Sequence, residues 1–235
     1  MFLVGTSGWS FKEWKGSFYP KDLSDDRMLE FYGARFPTVE VNNTFYRMPR
    51  ESTLLEWAAR VPPSFRFAIK ASQRITHQGR LGDVSGEVEY FTRVTSELGP
   101  LRGPTLFQLP PNLKKDLPRL TAFLGLLPRR WQAAFEFRHE SWFEDAVYDA
   151  LRARDAALVI ADHDDFATPV LATASWGYAR LHRQGYDEAA LTDWAGRLRG
   201  LGLSELYVFF KHDEVQGSGP EGAEAFSRLV AAATG

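Results

Sequence analysis

Short apolar runs alternate with longer amphipathic stretches along the whole chain. Eight of the runs have the length and composition of strands, and they lie at 2–6, 38–42, 65–70, 104–109, 132–138, 156–161, 176–182 and 205–210. Such alternation predicts parallel strands joined by crossover helices, and eight units favour a closed barrel over an open sheet. One crossover differs, because residues 162–175 contain Pro169 and are too few for a helix with two turns. We therefore predict an α/β fold, a single TIM-type (β/α)8 barrel domain over residues 1–235 with a stunted sixth crossover.

Helix start signals support this assignment. Ser24, Ser85 and Asp116 each stand ahead of an apolar helical pattern, where N-cap residues are common. Ser141 and Glu144 have the spacing of a capping box, in which each side chain satisfies a backbone N–H of the first turn. These signals place helices after the first, third, fourth and fifth strands.

Composition narrows the classes of function. The chain has 235 residues and a net charge of −2, so no global positive field attracts nucleic acid or an anionic membrane. It has no cysteine, which excludes disulfides, thiolate metal sites and cysteine nucleophiles. No run approaches the roughly 18 apolar residues of a membrane span, and no secretory signal pattern is present. We expect a cytoplasmic protein without a membrane partner; the sequence leaves its oligomeric state open.

Polar side chains interrupt the strand pattern on one face. They concentrate toward the carboxyl ends of five strands, and they are Glu40, Asn42, Lys70, Gln108, Glu136, Arg138, Tyr178, Arg180 and His182. One face of each barrel strand points into the lumen, and barrel active sites lie at the carboxyl ends. Because burying a charge is costly unless it is paired or hydrated, we predict a ligand site there. A lumen network of salt bridges without a function is the alternative.

A glycine-rich segment at 217–222 follows the last strand and fits G-x-G-x-x-G. Only 13 residues follow Gly222, which leaves no room for the second strand of a dinucleotide-binding unit. In a barrel, the loops after the last strands and a nearby helix N-terminus often bind phosphate. A phosphate loop and a flexible loop both remain possible interpretations.

Six short motifs follow one another along most of the chain. They read GTSGW at 5–9, EVNNTFY at 40–46, Lys70 followed by ITH at 75–77, QLPP at 108–111, EFRHESW at 136–142 and RLH at 180–182. Together they resemble the YecE-like family, domain of unknown function 72, which implies a barrel and supplies no reaction. The family's motif positions here are Glu40, Asn42, Tyr46, Lys70, His77, Gln108, Glu136, Arg138, Arg180 and His182.

The chain departs from the family pattern at two places. Lys211-His212 stands where the family usually has an asparagine pair after the last strand, and Arg183-Gln184 separates His182 from Gly185. Both departures concern the rim around strands seven and eight, so they put a phosphate role there in doubt.

The leading hypothesis is a barrel enzyme of hydrolase or isomerase/lyase type that acts on a phosphate- or carboxylate-bearing ligand without a cofactor or metal. The candidate acid–base groups are Glu40, Glu136, His182 and His77. The candidate ligand-binding residues are Asn42, Tyr46, Lys70, Gln108, Arg138, Arg180 and Trp9, of which the cations would hold the anion.

A metal-dependent barrel is the second hypothesis, either a phosphodiesterase or endonuclease or a sugar isomerase. Glu40, Glu136, His182 and the acidic run at 162–165 offer oxygen and nitrogen ligands for Mg²⁺, Mn²⁺ or Zn²⁺. Lys70 and the arginines on the same face would repel a divalent ion.

A non-catalytic module that binds nucleic acid or a protein is the third hypothesis. The loop after the first strand combines lysines with aromatic residues that can stack on bases, namely Trp9, Phe11, Lys12, Trp14, Lys15, Phe18 and Tyr19. The other interpretation of this loop is packing against the barrel rim.

Overall fold

A computed structural model gives the structure of the protein for residues 1–211 and 219–232. The strands in this part of the chain are β1 (Phe2–Thr6), β2 (Thr38–Val41), β3 (Arg66–Lys70), β4 (Arg102–Gln108), β5 (Ala133–Glu136), β6 (Ala157–Asp162), β7 (Trp176–Leu181) and β8 (Glu205–Phe210). The helices are α1 (Met28–Gly33), α2 (Asn43–Tyr46), α3 (Glu51–Ala58), α4 (Ser85–Thr95), α5 (Leu117–Leu126), α6 (Asp145–Arg152), α7 (Glu188–Arg199) and α8 (Gly219–Ala232). Every strand end lies within two residues of its predicted position.

The strands form one parallel sheet in the order β1-β8-β7-β6-β5-β4-β3-β2. This order, with β1 and β2 at the two ends, wraps the sheet into a nearly closed barrel. Apolar residues on one face of the strands pack under the helices, and a second set fills the lumen, including Leu3, Leu106, Val159, Tyr178 and Phe209. The predicted TIM-type barrel is confirmed. Among the described helices, none is both long and apolar enough to cross a lipid bilayer.

A tyrosine hydroxyl joins the two end strands of the ladder. Tyr32 is fully buried, and its hydroxyl accepts a hydrogen bond from Thr6 N at 2.8 Å and donates one to Thr38 O at 3.0 Å. Gly5 makes this close approach possible, because a Cβ at that position would lie 2.1 Å from Thr38 O. The β1–β2 seam therefore depends on a glycine backbone and one side-chain hydroxyl.

The sixth crossover has no helix, as the short segment at 162–175 predicts. Two buried threonines attach this segment to β6 instead. Thr168 Oγ1 accepts a hydrogen bond from Ala161 N at 2.8 Å, and Thr173 Oγ1 accepts one from Leu158 N at 2.7 Å. The hydroxyls satisfy strand N–H groups that would otherwise be buried without partners.

The predicted helix starts are only partly confirmed. Asp116 caps α5, since its carboxylate accepts a backbone N–H three residues later at 3.0 Å. Ser85 is the first residue of α4 and not its cap. The capping box of Ser141 and Glu144 is wrong, because α6 begins only after Glu144. Ser141 Oγ accepts instead the backbone N–H of Lys115 at 2.8 Å, which ties the β5–α6 connection to the neighbouring loop.

Candidate functional site

One arginine joins two glutamates at the carboxyl end of the barrel. Arg180 in β7 donates from Nε and Nη2 to the two oxygens of Glu40 in β2, each at 3.0 Å. Its Nη1 donates to Glu136 Oε2 in β5 at 2.5 Å. Both glutamates are fully buried and Arg180 is 4% exposed. These three residues form what we call the ion network, a charged layer above the apolar lumen.

Neighbouring hydroxyls and an amide complete the environment of Glu40. Its carboxylate accepts from Ser7 Oγ at 2.8 Å, Asn42 Nδ2 at 3.0 Å and Tyr178 OH at 2.7 Å. Together with Arg180 these donors use the acceptor capacity of both carboxylate oxygens. Burial alone would raise the pKa of Glu40, but Arg180 and the hydrogen bonds outweigh it and lower that pKa. Glu40 is therefore ionised at neutral pH.

Ser7 fixes the tautomer of His182. The Ser7 hydroxyl has one proton, which goes to Glu40 because an ionised carboxylate only accepts. Since Ser7 Oγ also lies 2.9 Å from His182 Nε2, that nitrogen must carry a proton and donate it. Burial first, and then the charge of Arg180, hold the pKa of His182 well below its usual range. His182 is thus a neutral imidazole with Nδ1 as its acceptor nitrogen.

A chain of polar side chains leads from Glu136 to the mouth of the barrel. Glu136 Oε1 accepts from Arg138 Nε at 2.7 Å and from Gln108 Nε2 at 2.8 Å. Gln108 Oε1 in turn accepts from Lys70 Nζ at 2.8 Å. Lys70 is half-buried and the Arg138 side chain is 34% exposed, so two cations reach the surface beside buried Glu136. These two are the partly exposed cations of the cluster.

The free energy of unfolding should depend on pH in the acidic range because of Glu136. Burial would raise its pKa, but Arg180 and Arg138 outweigh that effect and lower the pKa from 4.5 to about 2. A depressed pKa stabilises the fold above the unfolded value, and the stabilisation is lost as pH falls from about 4.5 toward 2. We expect the free energy of unfolding in urea to drop steeply over this range, and Glu136→Gln to flatten the slope. Equal slopes in the two proteins would contradict this expectation.

Three imidazoles surround the cluster. The His163 ring lies 5.0 Å from the His182 ring, and His163 Nε2 is 4.0 Å from Glu136 Oε1. His77 Nδ1 lies 2.9 Å from Thr76 Oγ1, and its ring packs edge-on against Phe45 at 4.8 Å. Burial, before any charge effect, lowers the pKa of both His77 and His163. All three rings are neutral at neutral pH, so each has one proton to donate and one nitrogen to accept.

Two of the predicted binding residues contact aromatic neighbours of the cluster and not the ion network itself, and their binding role stays a prediction. Tyr46 is 76% exposed and packs edge-on against Phe45, with 5.1 Å between the ring centres. Trp9 packs edge-on against Trp57 at 5.1 Å. The other predicted residues do lie together, except that His77 sits at the edge beyond Phe45.

Two members of the site, Ser7 and His163, were not among the predicted catalytic or ligand-binding residues. Ser7 follows β1 directly, so its place after a strand was the available signal. His163 follows β6 within the acidic run, which suggested metal ligands. Its ring instead faces His182 and Glu136.

The arrangement is unfavourable for the metal hypothesis. The described residues include no group of three or more histidine and carboxylate side chains that could hold a metal ion. Arg180 occupies the carboxylate oxygens of Glu40 and Glu136. Asp162 Oδ2 is also engaged, since it accepts from Tyr186 OH at 2.7 Å and Trp194 Nε1 at 3.1 Å.

The aromatic loop after β1 packs rather than presents its rings. Trp14 and Tyr19 are fully buried, and Phe18 stacks on Phe36 at 5.5 Å. Lys12 and Lys15 both pair with Asp25, an acidic residue of the same protein. These contacts support the packing interpretation of the loop, and binding of nucleic acid or a protein by this loop stays a prediction.

The glycine-rich segment is only partly described. Residues 217–218 lie outside the described residues, as does His212 of the Lys211-His212 departure. Gly219 and Gly222 fall inside α8, and a Cβ on Gly222 would lie 3.0 Å from the ring of Phe210. Gly222 thus allows α8 to pack closely on β8. Whether the segment binds phosphate stays a prediction.

The fold and this cluster define an α/β barrel of the TIM type with a polar site at the carboxyl ends of its strands. A family model described as "Protein of unknown function DUF72" matches residues 3–235. The chain belongs to this DUF72 family, which confirms the resemblance to YecE-like proteins.

Several known proteins are similar to this chain. It is 30% identical to the UPF0759 protein YecE of Escherichia coli over 69% of this chain and 59% of YecE. It is 28% identical to the UPF0759 protein YunF of Bacillus subtilis over 63% of this chain and 55% of YunF. The matched part thus spans less than two thirds of these relatives. A crystal structure of a DUF72 family protein from Thermotoga maritima aligns with a TM-score of 0.85 at 28% identity, covering 98% of this chain and 99% of that one.

Proposed function

We propose that this barrel is an enzyme that binds a small anionic ligand bearing hydroxyl groups at the carboxyl end of the strands. The observation that carries the proposal is the pair of surface-reaching cations, Lys70 and Arg138, beside a buried and already neutralised glutamate. Two glutamates and three cations leave the cluster with a net charge of about +1 when all are ionised. A phosphate or carboxylate group would complement that charge.

Two buried polar atoms support a ligand with hydroxyl groups. Within the described part of the chain, Asn42 Oδ1 and His163 Nε2 are buried without a hydrogen-bond partner. The Asn42 amide cannot be turned around, because its Nδ2 must donate to the Glu40 carboxylate. Its Oδ1 therefore needs a donor from outside, such as a ligand hydroxyl. Orphaned buried polar atoms are rare in proteins and often mark sites where something binds.

The roles of the candidate residues change in this proposal. Arg180 commits three of its N–H donors to the two glutamates, so anion binding falls mainly to Lys70 and Arg138. Glu40 and Glu136 are sealed and held ionised, which makes them poor proton-transfer groups. The neutral imidazoles of His77 and His163 suit general acid–base work better, because each keeps a nitrogen that can accept a proton. His182 is also neutral, but its pKa is held well below its usual range, so its ring accepts a proton less readily.

Inorganic phosphate should raise the melting temperature of the protein. A concentration ten times the Kd stabilises a folded protein by about 1.4 kcal/mol, or roughly 3–6 °C for a domain of this size. We expect Lys70→Met and Arg138→Gln each to abolish most of the shift, measured by thermal denaturation. Lys114→Met, at an exposed lysine, serves as the matched control and should keep it. An unchanged shift in both site variants, or none in the natural protein, would overturn the proposal.

A further inference from the structure

Lys70 differs from the paired lysines of this protein in what surrounds its amine. Lys12, Lys15 and Lys115 each pair with a carboxylate within 3.2 Å. In the described part of the chain Lys70 forms no such pair; its Nζ donates to the amide oxygen of Gln108 at 2.8 Å. The same Nζ lies 4.4 Å from the centre of the Phe45 ring. A neutral dipole and an aromatic face thus replace the usual counter-ion.

The Gln108 amide cannot be turned around to change this environment. Its Nε2 donates to Glu136 Oε1 at 2.8 Å, so its Oε1 must face Lys70. The negative charge of Glu136 is already matched by Arg138 and Arg180. Half-buried Lys70 thus lies close to the guanidinium groups of Arg138 and Arg180. In the described part of the chain, no carboxylate pairs directly with its amine.

Burial and the neighbouring guanidinium groups leave more of the Lys70 amine uncharged near neutral pH than in a fully exposed lysine. Burial first, and then the charge of Arg180, lower the pKa of Lys70 from 10.5 to about 8. The charges of Glu40 and Glu136 raise it only in part. When the amine is uncharged, it can still donate one N–H to Gln108 and keep its lone pair for a ligand. Lysines activated by desolvation and neighbouring cations form Schiff bases with carbonyl substrates.

We infer that Lys70 is a catalytic nucleophile that forms an imine with an aldehyde or ketone group on the anionic ligand. This inference rests on the proposed function, since Arg138 would hold the anionic group beside the reacting carbon. The substrate class is then a carbonyl compound that also carries a phosphate or carboxylate.

The step balances without an oxidant or a second reactant. The Lys70 nitrogen forms a bond to the carbonyl carbon, and the π electrons of the C=O bond move to its oxygen. One proton passes from nitrogen to that oxygen, which gives a carbinolamine. The remaining nitrogen proton is then lost while a second proton reaches the hydroxyl and the C–O bond breaks, so one water leaves and a neutral C=N bond remains. The neutral His77 ring packs on the same Phe45 ring that Lys70 contacts, so His77 is the group we assign to relay these protons.

Pyridoxal 5′-phosphate, used as a reagent, tests this inference because it combines an aldehyde with a phosphate. The natural protein is treated with a limiting amount near neutral pH, reduced with sodium borohydride, digested and mapped by mass spectrometry. We expect labelling of Lys70 to exceed that of exposed Lys21 and Lys114 by about tenfold or more, because far more of its amine is uncharged. Pyridoxal without the phosphate should label Lys70 several-fold less, and added inorganic phosphate should protect it.

Lys70→Arg is the matched variant, since arginine keeps the positive charge and cannot form the imine. It should lose the labelled peptide and retain a phosphate-induced thermal shift. Labelling spread evenly over the lysines, with the thermal shift intact, would overturn the imine and leave the anion site standing. Strong Lys70 labelling by both aldehydes, without a phosphate shift or phosphate protection, would support the nucleophile and overturn the anion site.

Discussion

Arg180→Ala should lower the free energy of unfolding by about 3–5 kcal/mol, the largest loss we expect from a single change at the site. The guanidinium neutralises two glutamates that are 0% exposed, and alanine would leave both carboxylates buried without a counter-ion. Their pKa values would then rise, because burial would no longer be opposed by Arg180. Urea unfolding near neutral pH measures this loss.

Two further variants separate this cause from a general loss of packing. Arg138→Ala removes a cation that also contacts Glu136 but is 34% exposed, so it should cost less than about 1 kcal/mol. Adding Glu40→Gln and Glu136→Gln to Arg180→Ala should recover part of the loss, since no buried charge would remain. A loss under about 1 kcal/mol for Arg180→Ala would refute the ion network as a buried, tightly coupled unit.

Gly5→Ala should destabilise the barrel by more than about 3 kcal/mol, through a backbone clash at the seam. The added Cβ would lie 2.1 Å from Thr38 O and 3.0 Å from the Tyr32 hydroxyl. Neither strand end can give way without breaking the bridge from Thr6 N through Tyr32 to Thr38 O. Thermal and urea unfolding both report this change.

Gly196→Ala is the matched control for the seam. Gly196 lies inside α7, and a Cβ there meets nothing within 4 Å. Alanine should therefore be neutral or stabilise the protein by up to about 1 kcal/mol. Tyr32→Phe should fall between the two glycine variants, because it leaves Thr6 N and Thr38 O without their partner but creates no clash. Equal stability of the Gly5 and Gly196 variants would contradict this account of the seam.

Much of the fold could be predicted from the sequence because parallel strands buried on both faces give short apolar runs. The sixth crossover was also predictable, since a proline in a short segment prevents a helix. The polar cluster was predictable because Glu136 and Arg138 alternate with phenylalanines. This alternation puts the two polar side chains on the face opposite the phenylalanines. The capping-box pattern misled because α6 starts later than its spacing suggests.

The partners within the cluster could not be predicted from local pattern. Arg180 bonds to Glu40 across 140 positions and to Glu136 across 44, and only the closed barrel brings these strands together. Strand alternation shows which residues share a face but not which of them satisfy one another. The sequence therefore indicated a single set of candidates. The structure divides that set into a sealed ion network and partly exposed side chains at the mouth of the barrel.

Tyr46 illustrates a second limit. The motif that contains Tyr46 begins with Glu40, so its conspicuous pattern suggested one common site. Glu40 lies in β2 and is buried, whereas Tyr46 ends the short helix α2 and is 76% exposed. Residues of one motif can thus differ widely in burial, and the motif alone did not separate them.

The ion network and the side chains at the mouth of the barrel have different expected roles. The ion network joins β2, β5 and β7 and keeps the carboxylates in one protonation state. In the proposed function, Lys70 and Arg138 contact the ligand, and the neutral rings of His77 and His163 accept protons. We expect variants of the network to change mainly stability, and variants of the mouth to change mainly binding.

A crystal structure of the protein grown with inorganic phosphate tests the central claim most directly. We expect an oxyanion within about 3.5 Å of both Lys70 Nζ and the Arg138 guanidinium, above an intact ion network. A phosphate bound only at the opposite end of the barrel, where Arg129, Arg130 and Arg152 line a depression of about 800 Å³, would contradict the claim.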